Sequence, residues 1–259
     1  MVENRKLLNA KLEYSPVSQN EKYTYSLKHT LSIYTLNAVY TFIPKNACSS
    51  LRYSIAVANG YITDINDIGW IHLNNETFNS TQREIALANY TFVILRCPFT
   101  RVASCFFDQI VGGDFDFKDS SGAQLSISFN DFLQVIKSQN RFDRNEHWRN
   151  QSDFLHYEKY NDYFCLEQFT EAIERLSDKG LKVFDTRAEL KHSLLGLDRV
   201  DGDFSKTKEK EIRKMREDGF IPNYKSMYGD DEIKLVNDIY ADDIDLYKRH
   251  FGSKHLLFN

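Results

Sequence analysis

Apolar and polar positions follow two periods along this chain, one typical of strands and the other typical of helices. The run Tyr90–Leu95, YTFVIL, is almost wholly apolar and too short for a helix, as expected of a strand buried on both faces of a parallel sheet. Leu31–Tyr40 alternates loosely and predicts a hairpin with Tyr40–Ile43. These strands predict a sheet at the centre of the fold.

Segments with helical periodicity separate the predicted strands. Ser49–Asn59 is predicted to be a helix that Gly60 ends, and strands at Asp162–Leu166 and Leu181–Phe184 predict a further βαβ unit. Other helices are predicted at Phe78–Leu87, Phe129–Ser138, Gln168–Ser177 and Asp231–Arg249. The alternation predicts an α/β fold with a central parallel sheet. Because no linker separates the elements, we expect a single domain over residues 1–259.

The segment from Tyr40 to Arg52, YTFIPKNACSSLR, has the pattern of a buried strand, a turn and a helix start. Pro44 breaks the strand, Lys45 follows it, and the helix begins near Ser49. Such a turn directs several backbone N–H groups at one point, where the helix dipole favours negative charge. The segment therefore predicts an anion site. It lacks the glycines of the nucleotide loop GxxxxGK[ST], and a plain turn with a solvated lysine is the alternative for this segment alone.

A second segment, NYTFVILRCPFTRVASCFFD, repeats the arrangement. Arg96 follows the apolar strand, Pro98 suits the first turn of a helix, and Arg101 and Ser104 are spaced to share a helix face. Ligands of open α/β sheets bind outside the carboxyl ends of the strands. We therefore expect Lys45 and Arg96 to converge on one ligand that carries two anionic groups. A surface ion pair is the alternative for Arg96 alone.

Three segments resemble the carbohydrate sulfotransferases, which include Golgi heparan and chondroitin enzymes and their bacterial relatives. The segments are IPKNACSSLR, VILRCPFTRVAS and HWRNQSDF, and the matched motifs are confined to about Thr41–Gln151, with a fainter resemblance at the C-terminus. It implies a three-layer α/β/α fold of the P-loop nucleotide-kinase type. It also implies transfer of a sulfuryl group from 3′-phosphoadenosine 5′-phosphosulfate (PAPS) to a hydroxyl of a carbohydrate or glycolipid, with no metal required.

The resemblance also implies which residues hold PAPS. The arginine and serine of the second motif hold the 3′-phosphate, and they match Arg96 and Ser104. Cys97 stands where the family often has an acidic residue, although neither anion contact depends on that position. The first motif holds the 5′-phosphosulfate, and its matching residues here are Lys45, Asn46, Ala47, Cys48, Ser49 and Ser50.

Sulfuryl transfer depends on positioning and on stabilising the negative charge that builds on the leaving phosphate. Lys45 is the candidate for that role. The attacking hydroxyl loses a proton, and histidine is suited to accept it near neutral pH. His72 is the preferred base, because relatives have a histidine at a comparable place and because Ile71 and Leu73 are expected to restrict its solvation. A structural histidine bonded to the backbone is the alternative.

His147 is the alternative base, in the segment EHWRNQ. Trp148 beside it offers a flat face for a sugar ring, and Arg149, Asn150 and Gln151 offer hydrogen bonds. The competing interpretation is that Trp148 packs in the core and that His147 is a loop residue.

Composition narrows the class of protein. The net charge of −4 argues against a broad nucleic-acid-binding surface, and the four cysteines lack metal-ligand spacing, so reduced thiols are expected. The N-terminus is too charged for a signal peptide, which favours a cytoplasmic, bacterial enzyme over a trimmed Golgi enzyme. Two other functions are left open: a small-molecule kinase, which needs a glycine-rich loop and carboxylates for Mg²⁺, and a nucleotide- or glycan-binding protein without catalysis.

Overall fold

The structure is a computed structural model that describes residues 5–11, 16–74, 76–118, 121–186 and 194–258. The chain forms two compact units, each assembled from two separate stretches of sequence. The first unit comprises Met1–Arg96 and Gln151–Glu189, and the second comprises Cys97–Asn150 and Leu190–Asn259. The strand that precedes each anion motif therefore belongs to the first unit.

The first unit contains a sheet of four strands within the described residues, in the spatial order β1 Thr30–Ile33, β2 Ala38–Thr41, β3 Tyr90–Leu95 and β4 Asp162–Cys165. β2, β3 and β4 are parallel, and β1 is antiparallel to β2. The expected parallel sheet is therefore correct except at its β1 edge. Because β2 and β3 are parallel neighbours, the segments that leave their carboxyl ends start at the same edge of the sheet.

The β1–β2 hairpin turns earlier than the sequence pattern predicted. Its turn is the 3-10 helix Tyr34–Leu36, and Asn37 follows in the left-handed region with φ 45°. Asparagine tolerates this conformation, and the Asn37 side-chain Nδ2 also donates a 3.0 Å hydrogen bond to the carbonyl oxygen of Leu87. The turn predicted near Tyr40 was wrong. Asn37 is the residue that signals the true turn, and a single asparagine is a weak signal within an alternating pattern.

Helices flank the sheet in the first unit, and further helices occur in the second unit. In chain order they are α1 Glu21–Lys28, α2 Cys48–Ala58, α3 Trp70–Leu73, α4 Gln82–Leu87, α5 Pro98–Cys105, α6 Phe129–Ser138, α7 Phe169–Asp178, α8 Glu209–Glu217, α9 Asp230–Ile239 and α10 Ala241–Phe251. The bounds of α2 and α6 agree closely with those predicted, and Gly60, with φ 82°, follows the end of α2. Within the described residues, no helix is both long enough and apolar enough to span a bilayer.

The core of the first unit joins α2 to the sheet. Leu51 and Ile55 of α2 belong to the same buried cluster as Tyr40 of β2 and Phe92 of β3. The rings of Tyr40 and Phe92 stack with their centroids 5.0 Å apart. Burial of a large apolar side chain of this kind contributes about 1.5–3 kcal/mol, so this packing fixes where the N-terminus of α2 lies relative to the strands.

The predicted strand Leu181–Phe184 is not a strand in the structure. The backbone N–H of Phe184 donates to Ser54 Oγ at 2.9 Å, and that of Thr186 donates to Ser50 Oγ at 3.3 Å. Side chains of α2 therefore satisfy the backbone N–H groups of Phe184 and Thr186, and the local sequence does not reveal these contacts. The predicted βαβ unit ends after α7.

In the second unit, α5 begins with Pro98 at its first turn, as predicted, and continues into a π-helix at Phe106–Val111. The guanidinium of Arg213 donates to the carbonyl oxygen of Val111 at 2.8 Å and so satisfies the end of this π-helix. A parallel pair of short strands, β5 Asp198–Val200 and β6 Phe220–Pro222, was not predicted.

The predicted final helix Asp231–Arg249 is two helices, α9 and α10, that meet at Tyr240. Tyr240 leaves the helical region with φ −118° and ψ 27°, and its hydroxyl donates to the carbonyl oxygen of Trp148 at 2.7 Å. Asp242 and Asp243 follow in the first turn of α10, where the helix dipole favours carboxylates. The sequence did not reveal this break, because apolar residues continue at helical spacing across it.

His156 is buried in the first unit with 1% of its surface exposed. Its Nδ1 lies 2.9 Å from Ser26 Oγ, and its Nε2 is buried without a hydrogen-bond partner among the described residues. Burial lowers the pKa of His156 from 6.5 to about 4. The folded protein therefore holds this imidazole neutral over a pH range in which the unfolded chain protonates it.

We predict that His156 makes the protein less stable as the pH falls from 6.5 towards 4, because the unfolded state binds a proton that the folded state rejects. A difference of about 2.5 pKa units corresponds to about 3 kcal/mol of unfolding free energy, fully present above pH 6.5. Urea unfolding at pH 7 and near pH 4.5 measures the unfolding free energy at each pH. Between these two pH values it should fall less for His156→Gln than for the wild type. His72→Gln, at an exposed position, is the control. Equal losses in all three proteins would contradict the assignment.

Candidate functional site

The loop of residues 42–47 joins β2 to α2 and contains the first motif. Lys45 has φ 72° and Ala47 has φ 58°, both in the left-handed region that glycine usually occupies. Each such residue costs about 1–2 kcal/mol, so the surroundings must hold the loop in this form. The loop therefore adopts backbone angles typical of glycine without containing a glycine.

The N-terminus of α2 presents donors at the end of this loop. Ala47 is the N-cap and makes no side-chain cap bond, and the first intrahelical bond runs from Leu51 N to the carbonyl oxygen of Ala47 at 3.1 Å. The N–H groups of Cys48, Ser49 and Ser50 precede that bond and have no acceptor within the helix. With the helix dipole and the half-buried Lys45 side chain, this end of α2 has the chemistry of an anion site.

The side chain of Asn46 points into the protein interior. It is fully buried, and its Nδ2 donates to the carbonyl oxygen of Ile94 at 2.8 Å and to Gln151 Oε1 at 2.6 Å. Its backbone N–H donates to the carbonyl oxygen of Ile43 at 3.1 Å. Asn46 therefore anchors the loop to β3 through its side chain.

Arg96 connects the second motif to the first. It follows the last residue of β3 and is 9% exposed. Its Nη1 donates to the carbonyl oxygen of Lys45 at 2.8 Å. The two cations that the sequence singled out thus belong to directly bonded residues at one edge of the sheet.

The two serines of α2 differ in their surroundings. Ser50 is buried, and its Oγ lies 3.1 Å from Thr186 Oγ1, whereas Ser49 is only half-buried. Thr186 lies 136 residues away in sequence, and no local pattern pointed to it. Cys48 between the loop and these serines is a half-buried free thiol.

His72 lies on α3 in the first unit and is exposed. Ile71 beside it is buried, but Leu73 is 88% exposed. The expectation that both neighbours restrict its solvation was therefore wrong: the short helix buries one flanking side chain and turns the other outward. The structure leaves His72 accessible to a ligand.

His147 lies in the second unit and is half-buried. Its Nδ1 is 2.9 Å from Asn145 Oδ1, which also accepts from the His147 backbone N–H. Trp148 is 1% exposed and packs edge-on against Phe115 and Phe132. The predicted sugar-stacking role of Trp148 is wrong, because this ring is part of a core.

The polar residues that follow Trp148 are also engaged within the protein. Asn150 Oδ1 accepts from Arg144 Nη1 at 2.8 Å, and Asn150 Nδ2 donates to the carbonyl oxygen of Ile239 at 3.2 Å. Gln151 is buried and bonds to Asn46 and Arg96. Neither amide is exposed for the predicted hydrogen bonds to a sugar.

Ser104 lies on α5 in the second unit and is 9% exposed. Arg101 is one turn earlier and is 2% exposed, and its Nη1 donates to the carbonyl oxygen of Arg149 at 2.7 Å. The guanidinium of Arg101 therefore satisfies a backbone carbonyl group of the second unit. No cluster of three or more histidine, cysteine, aspartate or glutamate side chains suited to a metal occurs in the described part of the chain.

Ala47 provides a test of the loop conformation. We predict that Ala47→Gly raises the unfolding free energy by about 0.5–1 kcal/mol, because glycine adopts φ 58° without steric cost. Ala56→Gly, in the interior of α2, is the control and should lower stability by about 1 kcal/mol from helix propensity, with a further loss because its methyl group is buried. Urea unfolding at pH 7 measures both. A similar loss in the two variants would contradict the left-handed assignment at Ala47.

Comparison with known proteins identifies the family. A family model described as "Sulfotransferase family" matches residues 29–250, a range that contains both anion motifs and both candidate histidines. No curated protein and no solved structure gives a significant match. Since the family model covers most of the chain, this protein belongs to the sulfotransferase family, whose enzymes transfer sulfuryl groups.

Proposed function

We propose that this protein is a PAPS-dependent sulfotransferase that acts on a hydroxyl of a carbohydrate or glycolipid. The observation that carries the proposal is the contact between the two motifs, in which Arg96 Nη1 donates to the carbonyl oxygen of Lys45 at 2.8 Å. Two cationic residues thus follow neighbouring parallel strands, where ligands of α/β sheets bind. PAPS has two separate anionic groups and so matches a site with two cations.

For the 5′-phosphosulfate we propose the loop and the start of α2. Lys45 supplies the cation, and Ala47, Cys48 and Ser49 supply backbone N–H groups at the positive end of the helix dipole. Ser50 contributes its N–H, since its hydroxyl is near Thr186. Asn46 acts by holding the loop, because its side chain is bonded to Ile94 and Gln151.

For the 3′-phosphate we propose Arg96 and Ser104, as the resemblance implies. Arginine suits this role because a guanidinium presents several donors in a plane that matches phosphate oxygens. The Nη1 bond to the carbonyl oxygen of Lys45 holds the guanidinium beside the loop. Ser104 adds a hydroxyl donor from the last turn of α5.

Catalysis follows from charge and position. PAPS supplies the sulfuryl group, and Lys45 stabilises the negative charge that grows on the leaving phosphate. His72 is the proposed general base, because it is exposed and lies between the two motifs in sequence. His147 is the alternative. No role for a metal is required by these steps.

We further propose that residues 1–259 act as one sulfotransferase domain of the three-layer α/β/α, nucleotide-kinase type. The mixed sheet flanked by helices is compatible with that fold, and the family match extends over residues of both compact units. A small-molecule kinase is the second candidate; Mg²⁺-dependent turnover of ATP would favour it over the first. A binding protein without catalysis would keep nucleotide affinity and show no transfer.

Substitutions at Lys45 and the two histidines separate binding from catalysis. We predict that Lys45→Ala lowers sulfate transfer by about 10²-fold or more and weakens adenosine 3′,5′-bisphosphate binding, since the same ammonium contacts ground state and transition state. His72→Ala should lower transfer by about 10²–10⁴-fold and leave nucleotide affinity within about threefold. Calorimetry measures binding, and release of adenosine 3′,5′-bisphosphate in the presence of a panel of glycans measures transfer.

Lys179→Ala is the matched control for Lys45, because Lys179 lies over the ring of Tyr90 at the opposite end of β3. Lys179→Ala should change neither nucleotide affinity nor the rate of sulfate transfer. If His72→Ala transfers normally and His147→Ala does not, His147 is the base. If Lys45→Ala matches the wild type in both assays, the proposed site is wrong.

A further inference from the structure

Gln151 occupies a position that connects both motifs. It is the first residue of the 3-10 helix Gln151–Phe154 and is 1% exposed. Its Oε1 accepts from Asn46 Nδ2 at 2.6 Å and from the backbone N–H of Arg96 at 3.0 Å. Its Nε2 donates to the carbonyl oxygen of Arg96 at 2.8 Å. One side chain therefore satisfies three buried groups.

The pairing with Arg96 resembles the pairing of two strands. Beyond the last paired residues of β3 and β4, Leu95 and Cys165, the amide of Gln151 meets both the N–H and the C=O of Arg96. These two groups require opposite ends of an amide, which fixes its orientation. A side chain without both a donor and an acceptor leaves at least one buried backbone group unsatisfied.

The same amide also reaches the first motif. Asn46 bonds to Gln151 and to the carbonyl oxygen of Ile94, and the Arg96 guanidinium bonds to the carbonyl oxygen of Lys45. These contacts form a closed circuit that runs from Gln151 through Asn46 and Lys45 to Arg96 and back. The circuit holds Lys45 in its left-handed conformation at φ 72°.

We propose that Gln151 is a positioning residue that sets the separation of Lys45 from Arg96, and hence the fit of the site to a ligand with two anionic ends. The inference rests on the proposed function, because it assumes that one nucleotide spans both residues. Gln151 does not touch the ligand in this scheme. It acts through Asn46 and through the backbone of Arg96.

The test compares ligands that carry both anionic ends with ligands that carry one. Gln151→Met keeps the length of the side chain and removes all three hydrogen bonds. We expect its affinity for adenosine 3′,5′-bisphosphate to fall at least about tenfold, and its affinities for adenosine 5′-monophosphate and adenosine 3′-monophosphate to fall less than about threefold. Each monophosphate needs only one cation and is therefore insensitive to the separation of the two. Calorimetry well below the unfolding temperature gives the affinity of the folded fraction.

Asn59→Leu is the matched control. The Asn59 amide also bonds a backbone N–H and a backbone C=O, those of Tyr34 and Ser32, but at the end of the β1–β2 hairpin remote from the loop. It should lower stability and leave all three affinities unchanged. If Gln151→Met does not fold, Asn46→Leu interrupts the same circuit from the loop side and should show the same selective loss.

Equal losses for all three ligands, or no loss for any, would overturn the positioning role while leaving the proposed function intact. A wild-type protein with no affinity for adenosine 3′,5′-bisphosphate would overturn the proposed function and the positioning role together. The wild-type titration thus separates the two failures.

Discussion

The candidate site depends on a loop backbone that is unfavourable by itself. Lys45 and Ala47 both have positive φ without being glycine, at a combined cost of about 2–4 kcal/mol. Against this stand the two bonds of the Asn46 amide and the bond from the Arg96 guanidinium to the Lys45 carbonyl. Net contributions of about 1 kcal/mol for a neutral bond and about 1.5–3 kcal/mol for a charged one offset the strain. The strained loop and the second motif are therefore stabilised together.

The other side of the loop is fixed by helix α2. Leu51 and Ile55 pack in the core with the sheet, and the Ser50 and Ser54 hydroxyls bond to Thr186 and Phe184 respectively. The helix is thus held both by apolar burial and by hydrogen bonds of two of its serine side chains. An anion bound there meets N–H groups that are already oriented, so little reorganisation accompanies binding.

The sequence predicted the elements whose signal is local. Apolar runs and helix-start residues were sufficient for β3, α2 and α6, and the order of strand, cation and helix was sufficient to find Lys45 and Arg96. Contacts between distant residues were not predictable in this way. The run at Leu181–Phe184 looks like a strand because three of its four residues are apolar, yet the backbone N–H of Phe184 donates to the Ser54 hydroxyl of α2.

Trp148 and Gln151 show the same difficulty at the site. Both lie in the segment HWRNQ, whose composition suits sugar binding. The sequence of this segment does not indicate which of its side chains are buried. The structure buries both, at 1% exposure each. Trp148 fills space between phenylalanines, and Gln151 bonds to two motifs that lie 55 and 105 residues away. A polar residue beside a motif is thus as suitable for support as for contact with a ligand.

The choice of amides for this support has an electrostatic reason. A carboxylate at position 151 would also accept hydrogen bonds from Asn46 and from the backbone of Arg96, but it would add a negative charge beside the site proposed for an anionic ligand. It would also place an acceptor against the Arg96 carbonyl oxygen, where Gln151 Nε2 now donates. Neutral amides avoid both effects. They satisfy buried backbone groups without adding negative charge to the site that we propose for a doubly anionic nucleotide.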